Sequence, residues 1–341
     1  MRKLASIRMV KELNPIKGAD AIEAARVDGW VCIVKKGEFQ PNDLGVYFEI
    51  DSFLPGTDPR YSFLESKFII FNEKKGARLR TIRLKKQIGQ GLILPLNRFP
   101  ELASAKLGDD VTDILGIEKW EPYIPAQLAG QVKGSFPSFI SKSDQERVQN
   151  LVDELEEHCG EEFEVSIKLD GASMTVFRNK TDDMVNHGVC GRNWELKETP
   201  DNSLWRVTRK DRILEALDFL DRNLAFQGEI IGEGIAGNPE KIKGQAFYIY
   251  NIFDIDKYSY VLPQERFEII EKLKAQGFNI KHVPVLPSII LEHTGDELLM
   301  MAEGTSLNPD TQREGLVFKS KNSDFSFKAI SNWYLEKHSH S

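Results

Sequence analysis

The stretch Ala246-Phe247-Tyr248-Ile249-Tyr250-Asn251-Ile252-Phe253-Asp254 constrains the fold more than any other part of the chain. Extended, it is apolar on both faces, and such a strand needs cover above and below. Tyr248 and Tyr250 share one face, because side chains two apart in a strand point the same way. Amphipathic helices flank it. Ser143 and Glu146 have the spacing of a capping box ahead of Val148, Leu151, Val152 and Leu155, with Arg147 in the first turn. A second helix is expected from Leu204 to Leu220, with Ile213, Leu214, Leu217 and Leu220 inward. A third runs from Pro263 to Lys274 and stops at Gly277. This part of the chain therefore reads as α+β.

Residues 1 to 120 have a different rhythm. Short strands such as Trp30-Val31-Cys32-Ile33-Val34, Gly45-Val46-Tyr47-Phe48-Glu49-Ile50 and Gly91-Leu92-Ile93-Leu94-Pro95 alternate with turn residues, and no long amphipathic helix intervenes. A small barrel of the OB type suits that pattern. Gly108 to Gly116 closes it, and Pro122, Pro125 and Pro137 mark a connector. The expected division is a barrel over 1–120, a link over 121–140 and a second domain over 141–341, since one core rarely grows past about 250–300 residues.

No apolar run approaches the ~18 residues of a membrane span, and the amino terminus lacks the apolar core of a secretion signal. Cys32, Cys159 and Cys190 form neither a disulfide framework nor a metal knuckle, and the six histidines lack metal-ligand spacing. A cytoplasmic or nuclear, reducing location is the expectation. The net charge of −7 argues against a protein that coats nucleic acid, though not against a local basic track. Lys74 to Lys86 is such a track. It has seven basic residues, among them Arg78, Arg80, Arg83, Lys85 and Lys86, interleaved with Leu79, Ile82 and Leu84. Either a solvated strand face or a phosphate-contacting one fits that pattern.

The chemistry centres on Glu164-Val165-Ser166-Ile167-Lys168-Leu169-Asp170-Gly171. Alternation puts Lys168 and Asp170 on one side and Val165, Ile167 and Leu169 on the other, and Gly171 permits a turn or a close approach. A lysine withdrawn from water can lose its proton and attack phosphorus, whereas an edge lysine paired with an aspartate is the plainer reading. Later segments could complement it. Phe226-Gln227-Gly228-Glu229-Ile230-Ile231-Gly232-Glu233 ends a strand with carboxylates between glycines, and Tyr248 and Tyr250 share a face. Arg313-Glu314-Gly315-Leu316-Val317-Phe318-Lys319 carries an acid and an amine, and Phe327-Lys328 lies thirteen residues from the end. Each also has a structural explanation: a strand-end carboxylate, core aromatics, a snorkelling lysine. Simple alternation separates Glu314 from Lys319, and a bulge at Gly315 would be needed to unite them.

The order of these segments resembles the covalent nucleotidyltransferase superfamily of ATP-dependent ligases and capping enzymes. Within it, the chain is most similar to RNA ligases of the Deinococcus and Naegleria type, which carry an OB module ahead of the catalytic domain. The resemblance spans nearly the whole chain: Lys168-Leu-Asp-Gly, Cys190-Gly-Arg192-Asn193, Gly228-Glu229, Tyr250-Asn-Ile-Phe253-Asp254, Glu314-Gly-Leu-Val-Phe-Lys319 and Phe327-Lys328. Two departures favour RNA over DNA ligases. Gly171 is followed by Ala172-Ser173 rather than x-Arg, and only thirteen residues follow Lys328, too few for a second OB domain. Ser326 stands where Lys-x-Lys is usual, so the division of triphosphate contacts between Lys319 and Lys328 is open.

The resemblance implies an α+β protein in which an amino-terminal OB-type β-barrel precedes an ATP-grasp-like ligase adenylation domain, a nucleotidyltransferase with antiparallel sheets and flanking helices. It implies that Lys168 takes AMP from ATP. A nearby divalent metal, together with Lys319 and Lys328, would disfavour the protonated form of its amine, and the two lysines would stabilise charge on the α-phosphate. Glu229, Glu314 and Asp170 would be the carboxylates that hold Mg²⁺ or Mn²⁺, mainly through water. Asp170, Gly171, Arg147, Arg192, Glu229, Tyr250 and Tyr248 would line the ATP site, with Tyr250 stacked on adenine. RNA, as a nicked duplex, would lie on Arg78, Arg80, Arg83, Lys85 and Lys86 of a monomer. Open alternatives are a DNA ligase or GTP-using capping enzyme, a non-catalytic nucleic-acid-binding protein of the same shape, and a protein-modifying adenylyltransferase.

Overall fold

A computed structural model describes residues 3–85, 87–120, 130–181 and 184–338, with Arg83 described by its backbone alone. The chain divides into two compact units. One comprises Met1–Tyr123, Val148–Val152 and Leu335–Ser341, and the other Ile124–Arg147 and Asp153–Tyr334.

The first unit is built of short antiparallel strands. Five of them stand in the order Leu92–Pro95, Leu44–Phe48, Ala5–Pro15, Ile22–Val27 and Trp30–Lys35. The long strand Ala5–Pro15 slips register between Val10 and Glu12, which bends it so that it pairs with two different neighbours. Four more strands, Glu118–Lys119, Ser52–Pro55, Lys74–Arg78 and Phe68–Phe71, form a second sheet. Phe48, Leu54, Tyr61 and Phe99 centre one apolar core, and Trp30, Phe39 and Tyr47 another. Among the described residues from 3 to 120 the helical turns are of the 3-10 type, as the lack of amphipathic periodicity there leads one to expect. The longest, Pro59–Lys67, is capped by Asp58.

The second unit holds two sheets. The larger runs Val132–Ser135, Trp194–Leu196, Met184–Cys190, Ala172–Thr181, Leu224–Gly232, Gln245–Asp254 and Ser259–Tyr260, with Lys281–His282 beside Gln245–Asp254. Gln245–Asp254 is the doubly apolar strand read from the sequence, and helices Ser203–Lys210, Ile213–Leu220 and Pro263–Ala275 contribute to the core that covers it. The smaller sheet runs Glu146–Arg147, Ser326–Ile330, Gly315–Ser320, Glu162–Lys168 and Val285–Ile290. Among the described residues of this unit, pairing is antiparallel except at two places, Glu146–Arg147 with Phe327–Lys328 and Tyr248–Ile249 with Lys281–His282.

Two predicted helices need correction. Ser143 does not cap one. Glu146–Arg147 is extended and pairs with Phe327–Lys328, and the helix begins only at Val152, because strand pairing outcompetes a local capping box. The segment 204–220 is two helices rather than one. They break at Asp211 and Arg212, where Arg212 adopts φ 54° and the buried Asp211 carboxylate accepts from Asn279 Nδ2 at 2.8 Å.

Candidate active site

Strand Glu162–Lys168 ends on Lys168, and Leu169 to Gly171 carry the chain across to strand Ala172–Thr181 of the other sheet. Val165, Ile167 and Leu169 are buried, and so are Glu164 and Ser166 on the alternate side, so both faces of the strand are covered. Gly171 lies where no side chain fits, since an added Cβ would sit 2.4 Å from the Ile230 carbonyl oxygen and 3.0 Å from Glu229 Cγ. That close approach lets Lys168 and Asp170 act electrostatically on Glu229.

Lys168 Nζ donates to Glu314 Oε2 at 2.9 Å. Glu314 stands one residue ahead of strand Gly315–Ser320, whose register with both neighbours is regular. The bulge that could unite Glu314 with Lys319 is absent, and the two residues separate. Glu314 meets Lys168, while Lys319 faces Glu164, its cross-strand partner. Burial works against the Lys168 proton, but the charges of Glu314 and Glu229 outweigh it and hold the amine above the usual lysine range. In these surroundings the amine is an ammonium. The sequence reading has a divalent metal, together with Lys319 and Lys328, disfavour the protonated amine; among the protein's own groups the carboxylates of Glu314 and Glu229 dominate.

Glu229 is the counterpart. Burial drives its carboxyl up to about 8, Lys168 and Arg192 pull against that, and Glu314 and Asp170 add to it. Strand order explains the encounter, because Ser173 pairs with Glu229, and Glu229 with Tyr248.

Lys328 is lowered to about 8, by burial first and then by Arg147 and Lys168, with the Asp144 carboxylate opposing. Its Nζ donates to Asp144 Oδ1 at 3.0 Å, and Arg192 Nη2 lies 3.9 Å from the other oxygen. Asp144 was not foreseen as a site residue, because the capping-box reading placed it in a helix turn. The parallel pairing of Arg147 with Lys328 is what brings this segment to the lysine.

Tyr250 occupies a bulge. Gln227 pairs with Asn251 and Gly228 with Ile249, leaving Tyr250 as the extra residue. The bulge frees its carbonyl oxygen to accept from Lys319 Nζ, and that amine also lies 5.7 Å from the centre of the Tyr250 ring. Burial and Glu229 raise the Tyr250 phenol, which also bonds to Ser173 and Ser143. Tyr248, half-buried on the same face, lies opposite Glu229. Tyr334, in the helix Asn332–His338, was also missed. Burial and the charges of Glu314 and Asp170 raise its phenol, which hydrogen-bonds to Asp170. The aromatic pair after the last lysine motif was the available signal.

The basic track is not one strand. Lys74–Arg78 and Thr81–Leu84 belong to different pairings, and the second forms a hairpin with Gln87–Gln90. Leu79 is buried, whereas Ile82 and Leu84 are 45% and 43% exposed, so the track has no single apolar side. Arg78 stacks on Trp120, its guanidinium carbon 3.5 Å from the ring centre, and donates to Asp51 at 3.1 Å. Arg80 is half-buried and Lys85 exposed. Lys86 and the side chain of Arg83 lie outside the described residues.

Among the described residues no three His, Cys, Asp or Glu side chains are grouped tightly enough to ligate a metal directly. Burial, with the charges of Glu314 and Asp170 adding to it, nonetheless drives the Glu229 carboxyl up to about 8. That is the charge imbalance a hydrated divalent cation relieves.

Comparison with known proteins agrees with this arrangement. A family described as an OB-fold domain matches residues 4–96, and one described as RNA ligase matches residues 161–330. A variant of Naegleria gruberi RNA ligase is 55% identical, with a TM-score of 0.95 and full coverage of both chains. Variants of the same ligase with ATP and manganese and with AMP and manganese are each 56% identical, with TM-scores of 0.94 and 0.95. The first covers 99% of this chain and 100% of its own, and the second covers 100% of both. No curated protein matches the chain.

Proposed function

The chain belongs to the RNA ligase family and is an ATP-dependent ligase, and we propose that it seals nicks in duplex RNA through an adenylate carried on Lys168. The observation that carries this reading is the Lys168 amine 2.9 Å from Glu314, with Glu229 and Lys328 near enough to feel its charge.

In the proposed reaction the neutral Lys168 nitrogen attacks the α-phosphorus of ATP. The bond to the β-phosphate oxygen breaks, and pyrophosphate leaves. An oxygen of the RNA 5′-phosphate then displaces the lysine from the adenylate, and the 3′-hydroxyl oxygen displaces AMP to close the phosphodiester. Lys328, with Arg147 and Arg192 near it, meets phosphate charge, and Asp144 gives up its hold on Lys328 as it does so. Tyr248 and Tyr250 offer aromatic surface to the base, and Asp170, fixed by Gly171 and Tyr334, is set for the ribose hydroxyls.

The protein works with a divalent metal. Glu229, Glu314 and Asp170 would hold it through water, and it would supply positive charge that competes with the Lys168 ammonium for those carboxylates. Lys168 must shed its proton before it attacks, so whatever weakens its carboxylate contacts promotes the first step.

We assign 1–120 to holding RNA, 121–140 to the link and 141–341 to adenylyl transfer. Arg80, Arg83, Lys85 and Lys86 would touch phosphates, while Arg78 shapes the wall through Trp120. A-form geometry and 2′-hydroxyls would select RNA over DNA. No described helix is long and apolar enough to cross a membrane. The reading places a monomer in the cytoplasm or nucleus, where ATP and broken RNA occur.

The test uses radiolabelled ATP with Mg²⁺ or Mn²⁺, followed by nicked duplexes with RNA or DNA on each side. Label should stay on the wild type and be absent from Lys168→Ala, and RNA nicks should seal fastest. Equal labelling of the two proteins would remove Lys168 as the carrier, and preferential sealing of DNA would remove the substrate assignment.

A further inference from the structure

Beneath the site lies a buried cluster of ionisable groups that the ligase reaction, as outlined, does not use. Arg266, on the helix Pro263–Ala275, is 1% exposed. Its Nη2 donates to both carboxylate oxygens of Glu164, the longer contact being 2.6 Å. Its Nε–H donates to His282 Nε2 at 3.0 Å. That bond fixes the imidazole. Nε2 must accept, so Nδ1 carries the proton and donates to the Val283 carbonyl oxygen at 2.6 Å. A second proton on His282 would point one donor at another. Burial and the Arg266 charge lower this histidine to about 3.

Glu164 stands directly across the strand pair from Lys319 and would be its natural counter-ion. Arg266 holds it instead. Among the described residues Lys319 Nζ has only the Tyr250 carbonyl as a hydrogen-bond partner, with the Tyr250 ring near by. Burial and the Arg266 charge lower Lys319 well below the usual lysine range, and Glu164 offsets this only in part. Four elements thus face the amine: the strands bearing Glu164, Tyr250 and His282, and the helix bearing Arg266.

We infer that Arg266 is a positioning residue for ligation, which grips Glu164 so that the Lys319 amine stays turned to the nucleotide side rather than to its cross-strand carboxylate. The inference rests on reading Lys319 as a contact of the ATP site. His282 holds the other edge of the guanidinium, and Tyr250 holds the amine through the carbonyl that its bulge exposes. If Arg266 is lost, Glu164 is left buried beside an amine of opposite charge, and the two would pair. The lysine would then be protonated, held by its neighbour and withdrawn from phosphate.

The test measures adenylylation of the full-length protein with labelled ATP for Lys319→Ala, Arg266→Met and the double variant Glu164→Met with Arg266→Met. Lys319→Ala and Arg266→Met should each lower kcat/KM by about tenfold or more, the size of one lost charge-assisted contact. The double variant should recover to within about threefold of wild type, because no carboxylate remains to capture Lys319 and paired apolar replacements of a buried ion pair are often tolerated. A double variant that melts cooperatively yet stays as impaired as Arg266→Met would overturn the inference. Full activity in Lys319→Ala would instead remove the reading of Lys319 on which it rests. If the double variant melts early, Arg266→Lys decides. It keeps a cation beside Glu164, so a kcat/KM recovered well above that of Arg266→Met supports the inference and one as low as Arg266→Met refutes it.

Discussion

Lys168 and Glu314 form an ion pair, Nζ to Oε2 2.9 Å, in which the proposed nucleophile is held as an ammonium by a carboxylate of its own site. The pair stores the amine in an unreactive form. Nucleophilic reactivity must be released by charge that enters with the substrates, which would protect the lysine from stray acylation when ATP is absent.

Acylation can measure this directly. With neither nucleotide nor metal, acetic anhydride near pH 8 should modify Lys168 far more slowly than the exposed Lys11. Glu314→Gln removes the largest charge that raises the Lys168 amine, so its neutral fraction rises and modification quickens by about tenfold for each unit of lowered pKa. Peptide mass spectrometry reads both rates. Equal rates in wild type and variant would mean that Glu314 does not keep the proton in place.

Lys328 gives a pH dependence of opposite origin. Its amine is lowered to about 8, so it is charged below that value and loses its charge as pH rises through it. ATP affinity should therefore fall between pH 7 and pH 9, by about tenfold if one charge-assisted contact is lost. Lys328→Arg should flatten the profile, because a guanidinium stays charged throughout. Asp144→Asn should move the midpoint lower, since the Asp144 carboxylate is what holds the proton on. Calorimetric titration of ATP at each pH supplies the constants; a flat wild-type profile would exclude Lys328 as the titrating contact.

Glu229 sets stability against function. Its carboxyl, raised to about 8, binds a proton more tightly in the fold than in the unfolded chain. The stability this lends is complete below the ordinary carboxyl value of about 4.3 and is lost as pH rises through about 8. Glu229→Gln cannot ionise, so the variant should melt higher than wild type at pH 9, by ~2–4 °C for each kcal/mol relieved. Adenylylation should be lost at the same time, and added Mn²⁺ should raise the wild-type Tm more than the variant's. A variant that melts lower than wild type at pH 9 would contradict the charge assignment.

Much of the site was legible because its residues sit in short, strongly patterned segments. The close approach expected of Gly171 is the one that brings it against Glu229. Pro263 and Gly277 bracket their helix as expected. What escaped depends on partners far along the chain. Asp144 reads as part of a helix start until Arg147 is seen pairing with Lys328. The break at Arg212 is not marked by glycine or proline; it accompanies a buried contact between Asp211 and Asn279. The surroundings of Lys319 are set by Arg266, whose local sequence reads only as one more polar residue of an amphipathic helix.

The basic track can be dissected in the same spirit, because its residues now fall into two kinds. Arg78 is tied down, stacked on Trp120 and bonded to Asp51, with only 14% of its side chain exposed. Lys85 is exposed on the hairpin. Removing a phosphate contact lowers the slope of log affinity against log salt by about 0.7–0.9, and it weakens binding to all sequences alike. Lys85→Ala should show that loss with an unchanged Tm. Arg78→Ala should keep the slope but lower the Tm, since a half-buried cation–π stack and an ion pair together are worth about 1–3 kcal/mol. Binding isotherms on nicked duplex RNA at several salt concentrations, read beside thermal melts, separate the two. A reduced slope for Arg78→Ala at unchanged Tm would move Arg78 back onto the RNA-contacting face and make its contact with Trp120 incidental.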